Sequence, residues 1–432
     1  MSKDLLEPPS TRTPVRSDVT TPASRLKEAP PPKSTPGGGT EGWVVRTLLT
    51  QLQRPPIAVE LPSGETISLS DTPPEVTVRI CDHRTLWSLL WQPSIGFGEG
   101  YRNGRIEVDG DLVRLCEMFE PTEGVTRGTF WQGLRGVKRR RATTLQASRQ
   151  NIHRHYDLGN DFYRLWLDKQ LVYTCAYFPT PEATLEEAQT AKLDLVCRKL
   201  NLQPGQEVIE AGCGWGALAL HMAREYGVRV RAYNISHEQV VYARERAQAE
   251  GLSDRVDFVE DDWRNMSGQC DTFVSVGMLE HVGAENYRLL GESINRVLRP
   301  HGLGLIHSIS RDVPGPLDSW IEKFIFPGAS TPTLRQMMDI LEPQRFVTLD
   351  VENLRLHYAK TLEHWLSRFE EHSNEIREMF DEPFVRAWRL YLSGSVATFR
   401  KAGLQLFQVV FTRCANNDIP WTRRVAETGH FS

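Results

Sequence analysis

The chain has 432 residues, 40% of them hydrophobic and 25% charged, with a net charge of −4. That length supports two or three domains with a sizeable core, and the charge excludes a general polyanion binder. Seven cysteines (81, 116, 175, 197, 213, 270 and 414) include no C-x-x-C pair, no signal-peptide h-region opens the chain, and no apolar run reaches transmembrane length. These features predict a cytoplasmic protein in a reducing setting, without a disulfide or zinc framework.

Residues 1–40 are rich in Pro, Ser, Thr and Lys and end in Pro36-Gly-Gly-Gly39. They bury too little apolar area to offset chain entropy and read as a disordered tail. Residues 41–120 read as a small α+β domain. Helical periodicity begins at 42, and a hairpin over 57–69 turns at Pro62-Ser-Gly64. A strand follows at 76–80, a helix at 84–91, a glycine-rich turn at 95–101 and a strand at 104–109. Residues 121–150 form a linker carrying Lys138-Arg-Arg-Arg141 beside Phe130 and Trp131. It reads either as a solvated connector or as a patch for anionic headgroups, worth about 1 kcal/mol per basic residue at a membrane surface. No base-reading module surrounds it, so no nucleic-acid partner is expected.

From residue 151 the chain is dense in aromatic and polar groups. A helix is expected over 184–200, with Thr184 as cap and Glu187 at the capping-box spacing. Then comes Val208-Ile-Glu-Ala-Gly-Cys-Gly-Trp-Gly-Ala217: a short strand, a turn with glycines at 212, 214 and 216, and the start of a helix. Glycines let such a turn approach a ligand closely. The spacing is neither G-x-G-x-x-G nor a P-loop, which points to a nucleotide-like ligand without pyrophosphate, such as S-adenosylmethionine (SAM). Strands at 229–235, 256–260, 272–277 and 303–309 then alternate with helices at 237–250 and 286–298. Late strands at 346–353 and 406–412 flank helices at 362–380 and 382–401. The alternation predicts an α/β fold with a doubly wound, Rossmann-like sheet of the class I SAM-methyltransferase kind, preceded by the small α+β domain; residues 151–432 form the catalytic domain.

Ligands of such sheets bind beyond the carboxyl ends of the strands. The second strand ends at Asn234 and Ser236, where an acid more often meets a ribose. The third gives Asp261-Asp-Trp-Arg264, in which Trp263 can stack on adenine. The fourth and fifth bring Glu280, His281 and His307 toward one edge. A carboxylate and imidazoles there suit a general base or an anion site; no metal-ligating spacing accompanies them. Of the two histidines, His281 reads as structural and His307 as facing the cavity.

With these residues identified, the chain resembles the cyclopropane-fatty-acyl-phospholipid synthase family, which includes the mycolic acid cyclopropane synthases. The carrying strings are His155-Tyr-Asp-Leu-Gly-Asn-Asp-Phe-Tyr163, Tyr173-Thr-Cys-Ala-Tyr-Phe178, Gly212-Cys-Gly-Trp-Gly216, Ser275-Val-Gly-Met-Leu-Glu-His-Val-Gly283, Trp320-Ile-Glu-Lys-Phe-Ile-Phe-Pro327 and Leu406-Phe-Gln-Val-Val-Phe411. The resemblance implies methyl transfer from SAM to a cis double bond of a phospholipid acyl chain, followed by cyclopropane closure. It implies SAM contacts from Tyr173, Thr174, Gly212, Cys213, Gly214, Gly216, Asn234, Ile235, Ser236, Gln239, Trp263 and Arg264. It implies a bicarbonate pocket of Cys175, Glu280, His307, Tyr358 and the backbone of Ile309. Glu280 is expected to orient His307 or to take the proton of bicarbonate. Trp320, Phe324 and Phe326 are candidates for lining an acyl channel. A lipid-handling N-terminal domain, peripheral contact with the inner membrane face and a homodimer are implied too. Arg264 departs from relatives with an acid at its position, and Ser395 stands where many have cysteine. The alternatives are a lipid C-methyltransferase making methylene or methyl branches, a small-molecule N-methyltransferase and a non-catalytic lipid binder.

Overall fold

The computed structural model describes residues 39–120, 158–419 and Trp421. The tail over 1–38, the linker with its basic run and the string at 155–157 lie outside the described residues. A helix, Thr40–Gln51, opens the described chain. Strands β1 (Ile57–Glu60), β2 (Thr66–Ser68), β3 (Val76–Ile80) and β4 (Ile106–Asp109) form a sheet in the order β2-β1-β3-β4. The β1–β2 pair is the expected hairpin, and β1 and β3 run parallel.

Residues 95–101, expected as a turn, lie instead in the helix Pro93–Arg102. Proline at the first helical position starts it, and Gly96, Gly98 and Gly100 are absent from the positive-φ positions. Their role is close approach. A Cβ at Gly96 would sit 2.7 Å from the Ser88 carbonyl carbon, one at Gly100 2.7 Å from Ile106 Cδ1, and one at Gly98 inside the Trp320 ring. Trp320 belongs to the helix Ser319–Phe324, so this packing joins the small domain to the larger one. Ser94 Oγ donates to Asp318 Oδ1 at 2.8 Å, and Arg386 donates to the carbonyl of Ile106 at 2.8 Å, in the same seam. Gly98→Val is expected to destabilise the protein by about 1–3 kcal/mol through overpacking, read as a lower urea midpoint. An unchanged midpoint would contradict this helix contact.

The larger sheet comprises β5 (Glu207–Ala211), β6 (Arg229–Asn234), β7 (Val256–Glu260), β8 (Cys270–Val276), β9 (Leu298–Ser310), β10 (Phe346–Asn353) and β11 (Gln405–Arg413), in the order β10-β11-β9-β8-β5-β6-β7. Strands β5 to β9 are mutually parallel, and β11 runs antiparallel between β9 and β10. This is the predicted class I SAM-methyltransferase sheet. The central strand β8 is buried along nearly its whole length, whereas β7 at the edge alternates buried and exposed residues.

The helix Leu185–Lys199 carries the predicted capping box, with Thr184 and Glu187 bonded reciprocally. The predicted helix over 362–380 is two helices, Arg355–Glu371 and Ser373–Met379, hinged at His372. The first starts earlier than expected because Asn353 Oδ1 accepts the Arg355 N–H at 3.0 Å, directly after β10. Among the described residues, no helix is long and apolar enough to cross a membrane.

Candidate active site

The carboxyl ends of β5 to β9 share one edge of the sheet, where two cavities of about 140 and about 690 Å3 lie. A segment without regular structure, residues 171–178, crosses that edge. Side chains hold its backbone in place. Asp168 Oδ1 accepts the Val172 N–H at 2.8 Å, Gln189 Nε2 donates to the Thr174 carbonyl at 2.8 Å, and Thr361 Oγ1 accepts the Ala176 N–H at 3.0 Å. Below it pack the buried rings of Trp166 and Trp365, with centroids 5.2 and 5.3 Å from that of Tyr173. The segment is thus fixed before any ligand arrives.

The smaller cavity is bounded by the glycine turn. Gly212 and Gly214 adopt φ of +84° and +53°, conformations that disfavour other residues. A Cβ at Gly214 would meet nothing within 4 Å, so this backbone faces open space. Asn234 Nδ2 donates to the Gly214 carbonyl at 3.1 Å and to Gln239 Oε1 at 2.9 Å, tying the turn to the end of β6. Tyr173, Thr174, Cys213, Ile235 and Trp263 complete the predicted part of the wall.

Three predicted contacts lie off this lining. Gly216 serves packing, since a Cβ there would stand 2.6 Å from the Phe258 ring. Ser236 is buried at the start of the helix His237–Ala249, its carbonyl accepting the Val240 N–H at 3.1 Å. Arg264 is bound to Asp262 at 2.9 Å and lies 4.5 Å over the Trp263 ring. Asp262 and Asp261, not Arg264, are the polar neighbours of Trp263 on the cavity wall.

Lys192 and Glu210 also line the smaller cavity, and the sequence reading had passed over both. Lys192 is almost wholly buried and donates to Thr174 Oγ1 at 2.9 Å. Burial pushes the Glu210 carboxyl up, and the facing Lys192 tempers the shift. Burial likewise pulls the Lys192 ammonium down, against Cys175, Asp168 and Glu210. Their signal was available: an acid between the apolar Ile209 and Ala211 just before the glycine turn, and a lysine among the inward positions of a helix.

The larger cavity brings together Cys175, Glu280, His307, Ile309 and Tyr358, with Ser395 beside them. Glu280 Oε1 accepts the Ile309 N–H at 2.6 Å. The Ile309 N–H is thus engaged within the protein, and this bond of Glu280 goes to Ile309, not to His307, which leaves its other expected role, toward the proton of bicarbonate. Glu280 Oε2 and His307 Nε2 are both buried without a hydrogen-bond partner. Buried polar atoms of that kind point to a ligand. Cys175 is fully buried, its Sγ 3.1 Å from the Ala176 carbonyl, and burial pushes its thiol far up, so it is no thiolate nucleophile.

Of the expected channel aromatics, only Phe326 lines the cavity. Trp320 is locked into the helix seam, and Phe324 packs on it with tilted rings whose centroids are 5.8 Å apart. The apolar wall comes instead from Leu362, Tyr391, Phe399, Leu404 and Leu406, and from Ile95 of the small domain. The two cavities meet at Tyr173, Thr174, Gly277 and His281, which line both. His281, read as structural, therefore stands in the dividing wall. Burial lowers its pKa to about 4, so it is neutral there.

Burial raises the Glu280 carboxyl to about 7, offset by the Ile309 N–H. Its pKa when unfolded is about 4.3. Its contribution to stability is therefore fully present below that value and is lost as pH rises through about 7. The ligand-free protein is expected to melt lower as pH increases from about 4.5 to about 7, and Glu280→Gln to lack this part of the decline. Parallel melting curves for the two proteins would refute it.

Residues 143–409 match the family described as mycolic acid cyclopropane synthetase, and residues 44–124 match a domain of unknown function. The chain is 37% identical over 368 residues to the cyclopropane-fatty-acyl-phospholipid synthase of Escherichia coli (strain K12), covering 84% of this chain and 94% of that protein. It is 34% identical over 382 residues to a probable fatty acid methyltransferase of Pseudomonas putida, covering 85% and 95% respectively. The solved structure of the cyclopropane synthase MmaA2 from Mycobacterium tuberculosis aligns with a TM-score of 0.59 at 29% identity, over 61% of this chain and 98% of that one. A mycolic acid cyclopropane synthase complexed with SAH and CTAB aligns equally well, with a TM-score of 0.59.

Proposed function

The chain belongs to the mycolic acid cyclopropane synthetase family and is a SAM-dependent methyltransferase; on that premise we propose that it methylates the cis double bond of phospholipid acyl chains and closes a cyclopropane ring. One observation carries the reading. The larger cavity is apolar for most of its wall, yet Glu280 and His307 both line it, and Glu280 Oε2 and His307 Nε2 are buried without a partner. That combination suits a hydrocarbon chain beside a small oxyanion.

An isolated alkene is a weak nucleophile and needs an electrophile as strong as the sulfonium methyl of SAM. Gly212, Gly214, Asn234 and Trp263 would hold the adenosyl part, with Tyr173 and Thr174 between it and the lipid. Attack leaves positive charge on the acyl carbon beside the new methyl. Leu362, Phe399 and Leu406 keep water from that carbon. A bicarbonate bound near Glu280 and His307 would supply the base that removes a proton from the new methyl. Glu280 Oε2 would accept such an ion's own proton and His307 Nε2 would bond its oxygens, while Tyr358 and Cys175 line the same cavity.

The small domain supports a lipid-handling role, because Trp91, Gln92 and Ile95 line the acyl cavity. Trp91 is 75% exposed and Val313, on the facing loop, 52%. Both lie on the lining, which suits a mouth pressed on the cytoplasmic face of a membrane. The resemblance to a probable fatty acid methyltransferase favours a second reading, methylene or methyl branching from the same cation. The deciding experiment incubates the protein with SAM and vesicles of cis-unsaturated phospholipid. A product heavier by one methylene with a high-field ring signal in NMR is expected. An exocyclic alkene selects the second reading, and no lipid product refutes both. Light scattering of the same sample tests the homodimer.

A further inference from the structure

Behind His307, on the side away from the cavity, a chain of buried polar side chains runs toward the protein surface. Gln408 Nε2 and His307 Nδ1 are 3.1 Å apart, and Lys199 Nζ lies 2.7 Å from Gln408 Oε1. Lys199 Nζ is also 2.5 Å from Glu352 Oε2 and 3.7 Å from Asp350 Oδ2. His307, Gln408 and Lys199 are almost wholly buried, whereas the Glu352 and Asp350 side chains are 27% and 23% exposed. Four elements supply the chain, β9, β11, β10 and the helix Leu185–Lys199; His307 and Gln408 face each other in register across the β9–β11 pair.

The donor and acceptor capacities along this chain leave a single assignment. An ammonium only donates, so the amide oxygen of Gln408 must face Lys199. The amide NH2 must then face His307, and NH2 only donates, so Nδ1 must be the acceptor. An imidazole that accepts at Nδ1 is neutral and carries its proton on Nε2. Nε2 is the ring atom left without a partner, on a residue that lines the larger cavity. We propose that Lys199 and Gln408 are positioning residues that lock His307 in the Nε2–H tautomer, so that it presents a fixed hydrogen-bond donor to the oxyanion of the reaction. The carboxylates of Glu352 and Asp350 pin the Lys199 ammonium beside the amide oxygen, which keeps the amide from flipping. Burial, with Lys192 and Lys199 nearby, independently keeps the imidazole uncharged.

The tautomer itself depends only on this geometry, while its catalytic consequence rests on reading the cavity as an oxyanion site. Imidazole nitrogen NMR on histidine-labelled full-length protein tests the two apart, with His307 assigned by loss of its signals in His307→Gln. In the wild type, Nδ1 is expected to be pyridine-like and Nε2 pyrrole-like. Gln408→Glu offers acceptors to both neighbours and is expected to place a proton on Nδ1. Its kcat should fall roughly 100-fold, as for loss of one preorganised donor, with KM for SAM unchanged. Lys199→Met leaves the amide free to flip and is expected to give mixed tautomers. A pyrrole-like Nδ1 in the wild type overturns the proposal, as does an unmoved tautomer in either folded variant. The expected tautomers with kcat retained in Gln408→Glu would overturn its catalytic half alone.

Discussion

Glu280→Gln is expected to lose about 100- to 1,000-fold in kcat while binding SAM as tightly as the wild type. The magnitude is that of removing one preorganised polar group from a transition-state site, about 2.7–4 kcal/mol. The substitution isolates the effect because the glutamine keeps a carbonyl oxygen for the Ile309 N–H, which Glu280 Oε1 now accepts at 2.6 Å. The amide NH2 then replaces Oε2 in the cavity, turning an acceptor into a donor of nearly equal size. No packing is lost, and a costly buried ionisable group is removed, so the fold should hold. Glu280 lines the larger cavity and not the smaller one, hence SAM affinity should not move. Turnover of the lipid and calorimetry with SAM check the two halves. Unchanged turnover would remove Glu280 from the chemistry, and weakened SAM binding would mean that the β8–β9 edge had shifted.

The glycines explain what could be read from the chain and what could not. Residues 96, 98 and 100 repeat the every-second-residue spacing of 212, 214 and 216. Both sets read as turns. The second set is one, because a strand precedes it, a helix follows it and its glycines need positive φ. The first set lies in a helix, where each missing side chain admits a neighbouring element, the nearby Ser88 and Ile106 at Gly96 and Gly100 and the distant Trp320 at Gly98. Local pattern cannot tell strain from close approach, since glycine answers both needs. The same limit misassigned Trp320 and Phe324 to the acyl channel: what covers them is a helix more than two hundred residues away. Thr184 and Glu187, by contrast, act within one turn of helix, and their capping box was legible. Residues of the candidate site were legible where they follow a strand of a parallel sheet, because topology alone brings them to one edge. Lys192, Gln408 and Lys199 sit on a helix or within a strand. Their inward polar heads acquire meaning only once the element facing them is known.

The second large effect is expected from Gly212→Val, which should abolish detectable SAM binding, a loss of at least about 100-fold or 2.7 kcal/mol. Two penalties act together. A β-branched residue at φ +84° is strained by about 1–3 kcal/mol. A Cβ there would also stand 2.8 Å from Met278 Cβ, so one of them must move. Met278 begins the short helical turn Leu279–His281 that carries Glu280, and the Gly212 N–H is itself fixed to the Tyr233 carbonyl at 2.9 Å. The turn cannot retreat without leaving β6, and Met278 cannot retreat without moving Glu280. One substitution should therefore damage both cavities, cofactor affinity through the turn and catalysis through Glu280. Gly251→Ala separates strain from steric displacement: its φ is +68°, and a Cβ there meets nothing within 4 Å. That variant should melt lower than the wild type yet bind SAM normally. Calorimetry on both proteins, with melting curves to establish folding, decides the matter. A folded Gly212→Val protein that binds SAM with wild-type affinity would show that the turn is not the wall on which the cofactor rests.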